Sequence, residues 1–506
     1  MKHIARSTLI IAFFFGLTKI ISIVRTALIA RQFGLSSQLD AFNAANNLPD
    51  LLAALIAGGA LAIAFIPVLS EYLERSGRPS LWALFSRVVN LSFMFTAGVS
   101  VLLALFAAPL VTTIIAPGFI PSQQALAVNL MRLDLIGTLL FAISGLVSAG
   151  LQANQHFLLP AMAPALYSLG QIFGVIVLAP STPYQLGPIT FPAFGMGIYG
   201  LVYGVILGAL LHLGIQIPGL IHFQFRWAPG IGLHDPGVRK VLILLGPAVV
   251  SMFLFQLNFV ARDNLASRLG PGSVTALTYG YFIMQVPETL LGTALAIALL
   301  PTLSEQIARG DHEVYRQTLN RALRILLALA LPVTALLMVA IQPFIQLFFA
   351  FDAAGTQLMV STTRAFLGGI LGYAMVEIGV RAFYSQQKPI TPLVTSFLRV
   401  VAYVGLSILL FRNLGTPGIA LADTCAATFE GCLLFYLLNR SFSGVTDVRK
   451  TLVRIIPVAL LCALGVAMIM RLVPVPSLLA ALGALTLGGL AALPFMWPEL
   501  KLLIKM

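Results

Sequence analysis

Three residues that could do chemistry sit where chemistry is expensive. Lys19, Ser22 and Arg25 lie in TLIIAFFFGLTKIISIVRTALIA, an otherwise apolar run. At helical periodicity they fall within an arc of about 120°, so they form a cationic stripe along one side of a helix. A charge at bilayer depth costs about 2.5–3.5 kcal/mol on insertion scales. Snorkelling to an interface can serve Lys19 or Arg25 but not both, so the stripe is expected to line a polar path. The next segment, DAFNAANNLPD (40–50), carries Asp40, Asn43, Asn47 and Asp50, within an arc of about 80°. Pro49 should bend that helix. Four polar groups on one narrow face do not look at lipid. They line a water-filled cavity or form an interhelical network, and they can partner the cations before them. Arg262 and Asp263 make another pair near a span end; Arg132 with Asp134, and Glu288, Arg364, Glu377, Arg399, Asp423 and Glu430, are dispersed over later segments.

No enzyme signature accompanies them. There is no H-E-x-x-H, no Walker A and no G-x-S-x-G, and the six histidines lack metal-ligand spacing. Cys425, Cys432 and Cys462 are dispersed in apolar stretches and give no disulfide framework. Catalytic and metal sites are therefore expected to be absent. No cofactor is expected either; coupling to an ion gradient or to the membrane potential is compatible with the sequence, which selects no ion.

The elements that must hold these residues are membrane helices. Of 506 residues 59% are hydrophobic and 9% charged, against about 25% charged in a soluble domain. A helix needs about 20 apolar residues to cross the hydrocarbon core. Gly, Pro and charge clusters divide the chain into fourteen expected spans: 7–33, 38–70, 82–115, 123–153, 158–180, 192–221, 238–268, 273–307, 314–349, 355–386, 390–412, 416–439, 450–472 and 475–498. The basic N-terminus resembles a signal peptide, but its apolar run continues through Lys19 and Arg25 without a clear cleavage site, so it reads as a retained first span.

The net charge of +13 comes without a basic patch interleaved with aromatics, which argues against nucleic acid. Topology explains it better. With both termini cytoplasmic, twenty of the thirty Lys and Arg residues face the cytoplasm. Arg31, Arg262, Arg268, Arg412 and Arg471 lie on the opposite side, and five more lie at membrane depth.

A repeat organises the spans. ALAIAFIPVLSE (60–71) returns 234 residues later as ALAIALLPTLSE (294–305), identical at nine of twelve positions, and LQANQHFLLP (151–160) resembles FYSQQKPITP (383–392). Six spans separate the copies, so both point the same way through the membrane. The expected architecture is an all-α polytopic protein of about 14 transmembrane helices. Two pseudo-symmetric six-helix lobes, 1–221 and 238–440, enclose a central cavity. A cytoplasmic linker (222–237) joins them, and 441–506 adds two helices.

KIISIVRTALIARQFGLSSQLDAF (19–42), NNLPDLL (46–52), FIPVLSEY (65–72), LLPTLSE (299–305) and YSQQKPITPL (384–393) together resemble the MurJ/MviN family. These are lipid II flippases of the multidrug/oligosaccharidyl-lipid/polysaccharide exporter superfamily. The resemblance covers essentially the whole chain. It implies a bacterial inner-membrane transporter that moves the undecaprenyl-pyrophosphate-linked peptidoglycan precursor to the outer leaflet by alternating access. The headgroup would sit in a cationic cavity, with a lipid-tail groove at the last two spans. Implied partners are lipid II, membrane lipids and the cell-wall synthesis machinery.

Arg25 and Asp40 match family positions, and Lys19 stands for a family arginine. Ala53, Gly58, Phe282 and Gln285 replace family charges, two cations and two anions together. If the cargo keeps its two phosphates, Arg262 is the candidate compensating cation. Substrate-binding residues are thus expected at Lys19, Arg25, Asp40, Asn43, Asn47, Asp50 and Arg262. Two rival readings remain: export of another polyprenyl-linked glycan or amphipathic molecule by the same fold, and a non-transporting envelope-assembly scaffold.

Overall fold

A computed structural model describes residues 2–56, 59–472 and 477–504; Gly58, one of the substituted family positions, lies outside them. The seventeen longer helices are α1 (Lys2–Phe33), α2 (Ser37–Ala45), α3 (Asn47–Ile56), α4 (Gly59–Leu105), α5 (Pro121–Ala153), α6 (Leu158–Phe173), α7 (Ile198–Gly214), α8 (Pro236–Ala266), α9 (Ser273–Glu288), α10 (Ala294–Ala308), α11 (His312–Phe349), α12 (Ala353–Leu367), α13 (Ile370–Ser385), α14 (Ile390–Leu414), α15 (Thr416–Ser441), α16 (Arg449–Leu472) and α17 (Ser477–Ile504). Each expected span coincides with a helix or a pair of helices. Eleven helical segments among the described residues are long and apolar enough to cross a membrane.

Local chemistry sets the breaks. Pro49 lacks an N–H for the carbonyl four residues earlier, and the chain parts into α2 and α3 around Asn46. Ser36 caps α2 by accepting from the Leu39 N–H at 3.3 Å. Gly77, at φ 75°, kinks α4 between two expected spans. One short feature was not expected: a hairpin pairing Tyr184–Leu186 with Ile189–Phe191.

The chain forms two compact units, Met1–Gly272 and Ser273–Met506. The first is knitted by close helix packing and by an aromatic cluster. A Cβ on Gly174 would stand 2.7 Å from the Gly204 Cα, so the segment after α6 and helix α7 touch backbone to backbone, as small residues allow in membranes. Phe85 meets Trp82 edge-on at 5.2 Å and Phe65 stacked at 6.0 Å, and the Trp82 Nε1–H donates to the Phe223 carbonyl at 3.0 Å. In the second unit α13 and α15 use the same device: a Cβ on Gly431 would lie 2.9 Å from the Gly372 carbonyl. The last two helices pack on α11, where Glu499 accepts from Arg324 at 3.2 Å and from Thr451 at 3.1 Å and also pairs with Arg454.

The repeat is legible in the backbone itself. Gly77 and Gly310 both adopt φ 75°, and Gln155 and Gln387 adopt φ 60° and 58°. A left-handed conformation costs a non-glycine residue about 1–2 kcal/mol, so its recurrence 232 residues apart is stronger evidence of duplication than shared alanines and leucines. Gly197 and Gly415 precede the final helix of each repeat with φ/ψ of 55°/−137° and 62°/−139°. Their spacing drops to 218 because the hairpin-bearing loop is present only in the first copy.

Helix α8 begins the second repeat by sequence yet packs in the first unit. Asp235 pairs with Arg87, Lys240 with Glu71 at 2.5 Å, and the Asn264 side chain donates to the Ile114 carbonyl at 2.5 Å.

Candidate functional site

In the first unit α1 presents Lys19 and Arg25, both half-buried. Arg25 interacts electrostatically with Asp50 on α3 and Tyr167 on α6. Asp134 on α5 is coupled to the same two residues, and Gln171 hydrogen-bonds the Tyr167 hydroxyl. One guanidinium therefore stands among two carboxylates and a phenol contributed by three other helices. Asp50 is exposed, whereas Asp134 is buried. Lys19 has no carboxylate partner among the described residues.

The polar arc of α2 and α3 divides its labour. Buried Asp40 accepts from the Gly272 N–H at 2.6 Å. Gly272 has φ 87°, and a Cβ there would lie 2.6 Å from Leu35 Cβ, so this loop closes only with glycine. Asn43 is half-buried. Asn47 is buried and donates through Nδ2 to Asp263 Oδ2 at 2.7 Å. Asp263, fully buried, also accepts at 2.8 Å from Nε of Arg262, whose guanidinium lies 4.9 Å from the Phe259 ring centroid. The seven expected residues thus fall into two groups. Lys19, Arg25, Asn43 and Asp50 lie on partly accessible positions, while Asp40, Asn47 and Arg262 are buried and bind α8 and its following loop to α2 and α3.

Sequence reasoning passed over Tyr167 and gave Asp134 little weight. The repeat held the missing signal. At the 232-residue spacing Phe141 corresponds to Tyr373 and Tyr167 to Arg399; at 218, His212 corresponds to Glu430. In the second unit Arg399 is buried, donates to Asp423 at 3.2 Å and to the Tyr373 hydroxyl at 3.0 Å, and lies 3.5 Å from Glu430. In the first unit the same positions make an aromatic group: the Phe141 ring lies 5.1 Å from Tyr167 and 4.7 Å from His212. His212 is held by Ser144 at 2.6 Å. A neutralised ion cluster in one repeat thus replaces an aromatic and amide cluster in the other, and the Arg25 group belongs to the aromatic side.

The fold matches solved transporters. It aligns with a structure described as lipid II flippase MurJ in an inward closed conformation at TM-score 0.80 and 20% identity, covering 98% of this chain and all of that one. It also aligns with an inward-facing MATE family transporter of the MOP superfamily at TM-score 0.69 and 15% identity, covering 85% and 96%. Helices and fold together define a multi-pass membrane protein with a MOP-type transporter architecture.

The family follows from sequence. The family model described as lipid II flippase MurJ matches residues 29–481. A lipid II flippase MurJ of Burkholderia cenocepacia is 31% identical over 450 residues, covering 87% of this chain and 84% of that protein. A probable lipid II flippase MurJ of Rhizobium tropici is 27% identical, covering 84% and 78%. The chain belongs to the MurJ family.

Proposed function

We propose that this protein flips lipid II, the undecaprenyl-pyrophosphate-linked peptidoglycan precursor, from the inner to the outer leaflet of the bacterial cytoplasmic membrane. Support comes from the family match along nearly the whole chain together with an arginine at membrane depth grouped with carboxylates. A pyrophosphate entering the membrane loses its hydration, and a guanidinium fork replaces it with paired charge-assisted hydrogen bonds. Arg25 is the residue we assign to that task, with Lys19 as a second cation and Asn43 facing the sugar-peptide portion. Asp50 and Asp134 hold Arg25 until the headgroup displaces Asp50. Arg262 joins only when its bond to Asp263 is exchanged, which would link cargo binding to the seating of α8 on α3.

In this scheme the six-helix repeats 1–221 and 238–440 alternate access around the linker 222–237, both termini are cytoplasmic, and 441–506 guides the lipid tail. The protein acts as a transporter and not as an enzyme, and it works beside the cell-wall synthesis machinery. Half-buried Ala53 and Phe282, which replace family charges, favour one second reading: a different polyprenyl-linked glycan with less anionic charge. Lipid II translocation by Arg25→Ala and Arg25→Lys variants tests the assignment. Loss in the first with partial recovery in the second supports it, and full activity of Arg25→Ala refutes it.

A further inference from the structure

The second unit holds a polar cavity that the flipping scheme does not use. It occupies 650 Å³ between the end of α11 and the start of α12, within the size range of small-molecule sites. Gln342 and Gln346 line it from one helix face; Gln357, Ser361 and Arg364 line it from the other. Arg364 sits eleven residues into α12, about 16 Å along the helix at 1.5 Å per residue. No carboxylate lines the cavity or pairs with Arg364 among the described residues. Its Nε donates to the Met338 carbonyl at 2.7 Å, which leaves the two Nη groups for a ligand.

The repeat separates what the arginine needs for packing from what the cavity adds. Arg132, 232 residues earlier, donates through Nε to the Ala104 carbonyl at 3.0 Å. Both carbonyls lie five residues before a proline, Pro109 or Pro343. The arginine–carbonyl bond is therefore a feature of each repeat. In the first copy the positions matching Gln342 and Gln357 are Ala108 and Ala125, so the bond forms without the glutamines. They serve something else.

We propose that this cavity binds the headgroup of an anionic lipid, with a phosphate on the Arg364 Nη groups and hydroxyl or amide groups on Gln342, Gln346, Gln357 and Ser361. A cavity with one cation and otherwise neutral donors and acceptors selects a phosphate joined to a polyol or amide, and disfavours an amine. A bulk phosphatidylglycerol and a lipid-linked sugar share that chemistry, so the inference stands independently of the lipid II reading.

The test is local. Full-length protein, with Cys425, Cys432 and Cys462 replaced by alanine, receives a trifluoromethyl tag on Ala354→Cys at the cavity rim. Its ¹⁹F signal is followed in detergent during titration with short-chain phosphatidylglycerol, with lipid II and with dioctanoylglycerol, which has no phosphate. A saturable shift with a phosphate-bearing lipid but not with dioctanoylglycerol is expected. Loss of one charge-assisted bond corresponds to about a ten- to hundredfold weakening, expected for Arg364→Gln, with part recovered in Arg364→Lys. The Gln342→Ala/Gln357→Ala pair, which leaves the Met338 bond intact, should weaken binding severalfold, and Arg132→Gln should not change it. Saturation by phosphatidylglycerol identifies bulk lipid as a ligand; saturation by lipid II alone identifies the cargo. Saturation by neither, or unchanged binding in both the Arg364→Gln and the double-glutamine variants, overturns the proposal.

Discussion

Asp263→Ala should be among the most damaging single substitutions in the first unit. The carboxylate is fully buried and holds two partners from opposite directions, Arg262 at 2.8 Å and Asn47 at 2.7 Å. Its removal leaves a buried guanidinium without its carboxylate bond and an amide donor without its acceptor. Breaking one side of a buried pair costs about 3–5 kcal/mol. Removing both ions is different, because the desolvation penalty goes with them. Arg262→Met/Asp263→Leu, which keeps the volume and removes both charges, should fall within about 1 kcal/mol of the parent, apart from the stranded Asn47. A double-mutant cycle on thermal stability of the detergent-solubilised protein reads the coupling. The expected ranking puts Asp263→Ala well below the double variant. Equal destabilisation of the two would show that the pair is not energetically coupled, and the seating of α8 through Asp263 would have to be abandoned.

Thiol accessibility separates the two groups of polar residues: cysteines at Asn43 and Asp50 should react with water-soluble reagents, and one at Asn47 should react at least tenfold more slowly. Equal rates at all three would contradict the division. Reporter fusions within residues 222–240 and just after 269 should land on opposite sides of the membrane, whereas same-side signals would overturn the topology and the parallel repeat together. If cargo phosphates are under-compensated, Ala53→Arg or Phe282→Arg should partly restore transport to an Arg262→Gln variant; a silent Arg262→Gln beside a dead Arg25→Ala would point to a less anionic cargo.

Most of the fold could be read from the chain because membrane helices advertise themselves by length and hydropathy, and because PxLSE occurs twice at matching depth. The position of α8 could not. The repeat assigns it to the second half, while its packing depends on Arg87, Glu71, Asn47 and Ile114 meeting it across more than a hundred residues, pairings that no periodicity encodes. The site was partly legible. An 80° polar arc says that four residues avoid lipid, but not that Asp40 spends itself on the Gly272 N–H while Asp50 faces Arg25. Tyr167 stayed hidden because a lone tyrosine on an apolar helix carries no signal until its repeat partner, Arg399, is set beside it.

The central claim is that the chain flips lipid II through Arg25, and one measurement addresses it most directly. A MurJ-depleted bacterium expressing this chain is scored for growth while the leaflet distribution of lipid II is followed by its accessibility to an externally added lipid II-cleaving enzyme. The wild-type chain should restore both growth and outer-leaflet lipid II, and Arg25→Ala, inserted at equal level, should restore neither. Outer-leaflet lipid II that remains at the depleted level with the wild-type chain well expressed would contradict the claim.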